Sequence, residues 1–258
     1  MRKRTLALAA FILIPLAAQA QGTLSAERKR LQSADYRVNG HLVRVDAAGA
    51  RTSYGVNIKA HWFPGVLRVA MEVMPGSAKT VPQPQKTAPS HILLEMRPGG
   101  ESSIQIAHPG DASPVALPFD KWAEGPLGAG FSYEDFLEAT YFWAVQTPQG
   151  DAKFGARDCE LVKSTPGAAD RTHYAEVKSW LDRGSGFPVH EEKTLKGSGT
   201  VKEFTSFGLR QTEGVWSATQ VEVKIRGQSG STFLIIERGT PKAHLNLKDF
   251  SPAQLTHF

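Results

Sequence analysis

The chain has 258 residues, 41% of them hydrophobic, enough for a core in one large domain or two small ones. Lys and Arg number 30 against 25 Asp and Glu, a net charge of +5, yet no run concentrates that charge enough to neutralise a row of phosphates. A nucleic-acid partner is therefore not expected, and the single cysteine, Cys159, excludes an intrachain disulfide and reads as a small buried residue.

Arg2, Lys3 and Arg4 precede an apolar run from Leu6 to Leu16, and Ala18-Gln19-Ala20 is a small-x-small pattern. Residues 1–20 are therefore expected to form a secretory signal peptide cut after Ala20. The run is shorter than the roughly 20 residues that span a bilayer, and losing it removes three positive charges. The remainder of the chain, residues 21–258, is expected to be one domain.

A short helix is predicted over Leu24–Ser33, capped by Thr23 or Ser25, with Arg28-Lys29-Arg30 on a solvated face. Alternation then predicts strands over Val38–Asp46 and Arg51–Trp62, and a third in which Leu67, Val69, Met71 and Val73 share a face opposite Arg68 and Glu72. Residues 75–90 hold four prolines and read as an extended, mobile surface loop. Strands over His91–Arg97 and Ser102–Ala107 bracket a turn at Pro98-Gly99-Gly100.

After a second irregular stretch, His108 to Gly130, a helix is predicted from Ser132, with Asp135 as its capping partner. Phe136, Leu137, Tyr141 and Ala144 recur at helical spacing, and Phe142 and Trp143 widen the apolar side. Core packing accounts for such a helix, and so does a lid over a ligand site. Further strands are predicted over Arg157–Lys163, His173–Leu181, Phe187–Leu195, Thr200–Phe207, Val215–Ile225 and Ser231–Arg238. Val221, Val223 and Ile225 share one face, while Phe233 to Ile236 are continuously apolar, which predicts an inner strand.

The total is about eleven strands and two helices, a mainly β chain. At about 4.8 Å per strand such a sheet is on the order of 50 Å wide and must curl, split or close. Two short helices cover only part of it. Unless it folds into a sandwich, it encloses an apolar hollow of the kind that binds apolar ligands.

Tyr174-Ala175-Glu176-Val177, Trp180-Leu181-Asp182, Phe187-Pro188, Phe204, Gly214-Val215-Trp216 and Asp249-Phe250 resemble, in order and spacing, the C-terminal half of LolA-like outer-membrane lipoprotein-sorting proteins. The resemblance covers about residues 155–255, and Ala218 stands where the pattern has proline. It implies an incomplete, strongly curved antiparallel β-barrel with a helical lid, LolA/LolB-like. It also implies a monomeric periplasmic carrier that moves lipoprotein acyl chains or another lipid towards the outer membrane, between an inner-membrane exporter and an outer-membrane acceptor. The alternative is a lipid-sensing regulator of envelope stress that binds a protein partner. The expected lid residues are Phe136, Leu137, Tyr141, Phe142 and Trp143, and the expected cavity residues Val69, Met71, Val221, Val223 and Ile225.

Nothing in the motifs points to catalysis, a metal or a cofactor. Eight histidines are scattered without a pair at ligand spacing, and His190-Glu191-Glu192 lacks the second histidine of a zinc protease. The Gly-Ser-Gly pieces at 184–186 and 197–199 read as hairpin turns, because no helix comes after either.

Overall fold

The computed structural model describes residues 17–75, 90–107, 111, 113–125 and 130–255. Most of the expected leader, the proline-rich loop and parts of the 108–130 stretch lie outside the described residues. The first element is a helix, α1 (Ala17–Gln32), which begins seven residues before the predicted Leu24. It buries Leu24 and Leu31 against Val162, Leu181 and Tyr141.

The N-terminal half is a meander: β1 (Asp35–Val45), β2 (Arg51–Phe63), β3 (Val66–Pro75), β4 (Ser90–Met96), β5 (Ser103–Ala107) and the two-residue β6 (Val115–Ala116). The C-terminal half continues with β7 (Val145–Phe154), β8 (Arg157–Thr165), β9 (Tyr174–Asp182), β10 (Pro188–Leu195) and β11 (Val201–Phe207). A small ribbon of β12 (Arg210–Thr212) and β13 (Val215–Ser217) comes next, then β14 (Gln220–Ile225) and β15 (Ser231–Pro241). Among the described residues thirteen strands form one curved, unclosed antiparallel sheet in the order β6-β5-β4-β3-β2-β1-β15-β14-β11-β10-β9-β8-β7.

The expected mainly β, barrel-like class holds, with three corrections. Among the described residues strands number fifteen, against about eleven expected. β7 escaped notice because Pro148 and Gly150 flank a register shift in this edge strand, where proline and a bulge are tolerated. The single strand expected over Val215–Ile225 is two, broken at Ala218-Thr219, where the Ile236 amide donates to the Thr219 carbonyl at 2.8 Å.

The predicted helix from Ser132 is likewise not an α-helix. It is two 3-10 turns, Tyr133–Leu137 and Ala139–Phe142, separated by Glu138 in the left-handed region at φ 47°. The capping pair is present: the Asp135 carboxylate accepts from the Ser132 amide at 2.7 Å. The cap starts a helix, but the left-handed residue stops it after one turn.

β15 lies between β1 and β14, so the last strand joins the two meanders and is the inner strand its apolar run predicts. In β1, Gly40 sits at a register shift where an added Cβ would collide with the Ile235 carbonyl, so only glycine allows the two strands to approach. The main core lies on the concave face, where Leu42, Met71, Ile92 and Leu94 are fully buried. Each such burial stabilises by about 1.5–3 kcal/mol. The opposite face of β3 and β4 buries Ala70 and Leu93 under Leu245, Phe250 and Leu255, which reach it from the C-terminal turns.

Candidate functional site

The two 3-10 turns lie over the concave face and are fastened to it by ion pairs and hydrogen bonds. The first fastening centres on Asp135, whose side chain is 1% exposed. Antiparallel register places Lys193 of β10 directly opposite Lys202 of β11, a like-charge pair that is unfavourable alone. Asp135 enters between them: Lys202 Nζ lies 2.6 Å from Oδ2 and Lys193 Nζ 3.7 Å from Oδ1. The Tyr174 hydroxyl donates to Oδ1 at 2.6 Å, and the Ser132 hydroxyl to Oδ2 at 2.8 Å. Burial pushes the Asp135 carboxyl up, but the two ammonium groups outweigh it and hold the pKa at about 2.

The second fastening ties the turns to α1. Arg30 Nη2 bridges Glu27 at 2.6 Å and Glu138 at 3.2 Å, and Arg28 Nε donates to the Tyr141 carbonyl at 2.7 Å. Burial pushes the Glu27 carboxyl up to about 7, against the pull of Arg30. Arg28 and Arg30 are thus inward contacts, and only Lys29 keeps the solvated position expected for the basic cluster. A third contact runs from the Tyr141 hydroxyl to Glu191 at 2.8 Å.

Between these turns and the sheet lies a cavity of about 250 Å³. Val38, Ile58 and Val69 wall it on one side, Val221, Leu234 and Ile236 at the centre, and Arg30, Glu191 and Lys193 on the other. Phe136 and Tyr141 face it from the turns, and the β12–β13 ribbon contributes exposed Arg210 and half-buried Trp216.

Four of the ten expected site residues therefore line the cavity: Val69, Val221, Phe136 and Tyr141. Met71, Val223 and Leu137 are buried in the main core. Ile225 is half-buried opposite Lys202. Phe142 packs on Trp62 with ring centroids 5.4 Å apart, and Trp143 is buried with Tyr174 and Val177. Cys159 is buried and free, as expected.

The ionic residues Arg30, Asp135, Glu138, Glu191, Lys193 and Lys202 went unrecognised as site residues. A trace of them exists in the sequence. Strand β10 offers no consistently apolar face: its inward positions Glu191 and Lys193 are charged, so one face had to be buried with its charges paired.

Among the described residues no helix is long and apolar enough to cross a membrane, and no group of three or more His, Cys, Asp and Glu side chains could hold a metal ion.

A family model described only as an uncharacterized protein matches residues 123–257. No curated protein matches the chain by sequence. Among solved structures, the chain is similar to an outer membrane lipoprotein-sorting protein domain from Vibrio parahaemolyticus, with TM-score 0.77 and 17% identity over 92% of this chain and 100% of that one. A DUF1329 family protein from Desulfovibrio piger gives TM-score 0.76 at 14% identity over 93% and 99%. A LolA superfamily protein from Nitrosomonas europaea gives 0.62 at 16% over 90% and 97%. At these identities the likeness establishes the fold.

Proposed function

The chain belongs to the DUF1329 family, whose model spans residues 123–257, and on that premise and its LolA-like fold we propose that it is a periplasmic carrier for an acyl chain. The observation that carries this reading is the cavity beneath the Ser132–Trp143 segment, apolar on the side of Val38, Ile58, Val69 and Leu234 and closed by Phe136 and Tyr141. The expected leader at residues 1–20 supports export. The name carried by the Vibrio structure supports lipoprotein sorting at the outer membrane, and on this reading an inner-membrane exporter loads the carrier and an outer-membrane acceptor unloads it.

In this mechanism the guest enters between the sheet and the segment. Each methylene it buries is worth about 0.8 kcal/mol. A cavity of about 250 Å³ lies just below the roughly 300–1,000 Å³ of ligand pockets, so a long chain must push the segment outward. Doing so strains the links at Asp135, Glu138 and Tyr141. Their recovery on release offsets part of the binding free energy, which lets the carrier hand its guest on.

The test is native mass spectrometry of the protein purified from the periplasm, paired with titration of a fluorescent fatty acid. A bound lipid is expected. Val221→Trp, which fills the cavity from the sheet, should weaken probe binding at least about tenfold, and loaded protein should pass its guest to acceptor vesicles. If no apolar molecule copurifies and no probe binds, the protein is not a carrier.

A further inference from the structure

Among the described residues, one charged group in the cavity wall makes ion pairs without a hydrogen bond. The Lys193 side chain is 6% exposed and lines the cavity, and Nζ finds no acceptor within hydrogen-bond distance among the described residues. Its two nearest carboxylate oxygens, Asp135 Oδ1 at 3.7 Å and Glu191 Oε2 at 3.8 Å, lie beyond that reach. Another side is taken by the Phe204 ring, whose centroid is 4.2 Å away.

The surrounding groups are already committed. Asp135 accepts from Lys202, Tyr174 and Ser132, and Glu191 Oε1 accepts from Tyr141 and more distantly from Ser179. Burial works against the charge on Lys193, yet Glu191 and Asp135 outweigh it and raise the pKa, so the ammonium stays charged. With no acceptor within hydrogen-bond distance among the described residues, the ammonium can donate to an oxygen in the cavity it faces.

Charge balance decides what kind of oxygen. Among the buried charges Lys193 and Lys202 are matched by Asp135 and Glu191, and Arg30 faces both Glu27 and Glu138, while the remaining cation of the lining, Arg210, is exposed on the β12–β13 ribbon. An added carboxylate or phosphate would leave an unmatched negative charge in a buried site, which is costly. A neutral carbonyl adds an acceptor without adding charge.

We infer that the guest is an acyl ester or acyl amide whose uncharged carbonyl accepts from Lys193 Nζ, with its chain lying along Val69, Val221 and Leu234. This rests on the carrier reading and adds to it the chemical class and the orientation of the cargo. The carbonyl end goes to the charged wall and the hydrocarbon to the apolar one.

Displacement of a pyrene-labelled alkane from the full-length protein tests it, with hexadecane, methyl palmitate, N-methylpalmitamide and palmitate at pH 8 as competitors. A hydrogen bond to a charged donor predicts that ester or amide binds roughly tenfold to hundredfold more tightly than hexadecane. Palmitate should bind no more tightly than its methyl ester. Lys193→Met should abolish the advantage of the carbonyl, so that ester and amide bind the variant no more tightly than hexadecane does.

Whichever of ester and amide binds more tightly separates a glycerolipid-like source from an N-acylated one. Equal binding of hexadecane and ester, or tightest binding by palmitate, overturns the inference while the carrier reading stands. Failure of every chain to bind overturns both. A second measurement does not depend on the variant folding: the infrared stretch of carbonyl-labelled methyl palmitate bound to the wild-type protein. It should fall below its frequency in an alkane solvent, and an unshifted band overturns the inference.

Discussion

The same concave face of one sheet is made in two ways. In β2, β3 and β4 its buried members are Val56, Ile58, Ala60, Leu67, Val69, Met71, Val73, Ile92, Leu94 and Met96, all apolar. In β8 to β11 the corresponding face mixes buried Val162, Val177, Leu181 and Phe204 with Glu160, Ser164, Ser179, Lys193 and Lys202, each also buried, and half-buried Glu191. Hydrophobic burial is non-directional and holds the first region wherever its apolar area is covered. The second needs named partners at short distance, and Asp135, Glu138 and Tyr141 on the closing segment supply several of them. A cover held by polar contacts can exchange them for water when it lifts, whereas an apolar cover would expose its whole area. The segment that must move is therefore fastened to the charged region.

The comparison can be broken most severely at Asp135. Asp135→Ala leaves Lys193 and Lys202 facing each other without the carboxylate between them, and breaking a buried pair in this way costs about 3–5 kcal/mol. Chemical denaturation should show that loss. A cost below about 1 kcal/mol would mean that the ion cluster does not hold the segment. In the apolar region Leu94→Ala is expected to cost about 2–5 kcal/mol by leaving a cavity, without altering the pH dependence of stability.

The charged region should also make stability depend on pH at both ends. Asp135 has its pKa depressed to about 2, so its contribution is complete above the ordinary carboxylate value and lost as pH falls towards 2. Glu27 has its pKa raised from 4.5 to about 7, so the stability it contributes is present below 4.5 and lost as pH rises through 7. Glu27→Gln should therefore flatten the decline between pH 4.5 and 7, an effect of up to about 3 kcal/mol. An unchanged decline, followed by thermal melts across that range, would assign it to another group. The smallest effect belongs to the outer face of the same strands. Arg226, 49% exposed, pairs with Glu192 at 2.5 Å and Glu203 at 2.6 Å, and Arg226→Ala should cost less than about 1 kcal/mol.

How much of this was legible in the sequence depended on whether the local pattern and the tertiary demand agreed. In β3, Leu67, Val69, Met71 and Val73 alternate with polar residues, and the strand lies where that pattern puts it. At Ser132 the capping signal was correct, yet tertiary contacts to α1 and β10 accompany a left-handed Glu138 where helical spacing implied one continuous lid. For β10 and β11, alternation treats charge as outward and so gives no reason to place Glu191, Lys193 and Lys202 in a site.

The amino-acid sequence alone determined the β class, the order of the principal strands and the apolar concave face, because period-two patterning is a property of neighbours in the chain. Only the tertiary structure decided that charges would enter that face and where. Holding an ion away from water is tolerable only when its counter-ion arrives. The partners of Lys193 and Lys202 include Asp135, 67 residues before Lys202 in the chain, a pairing that no local pattern encodes.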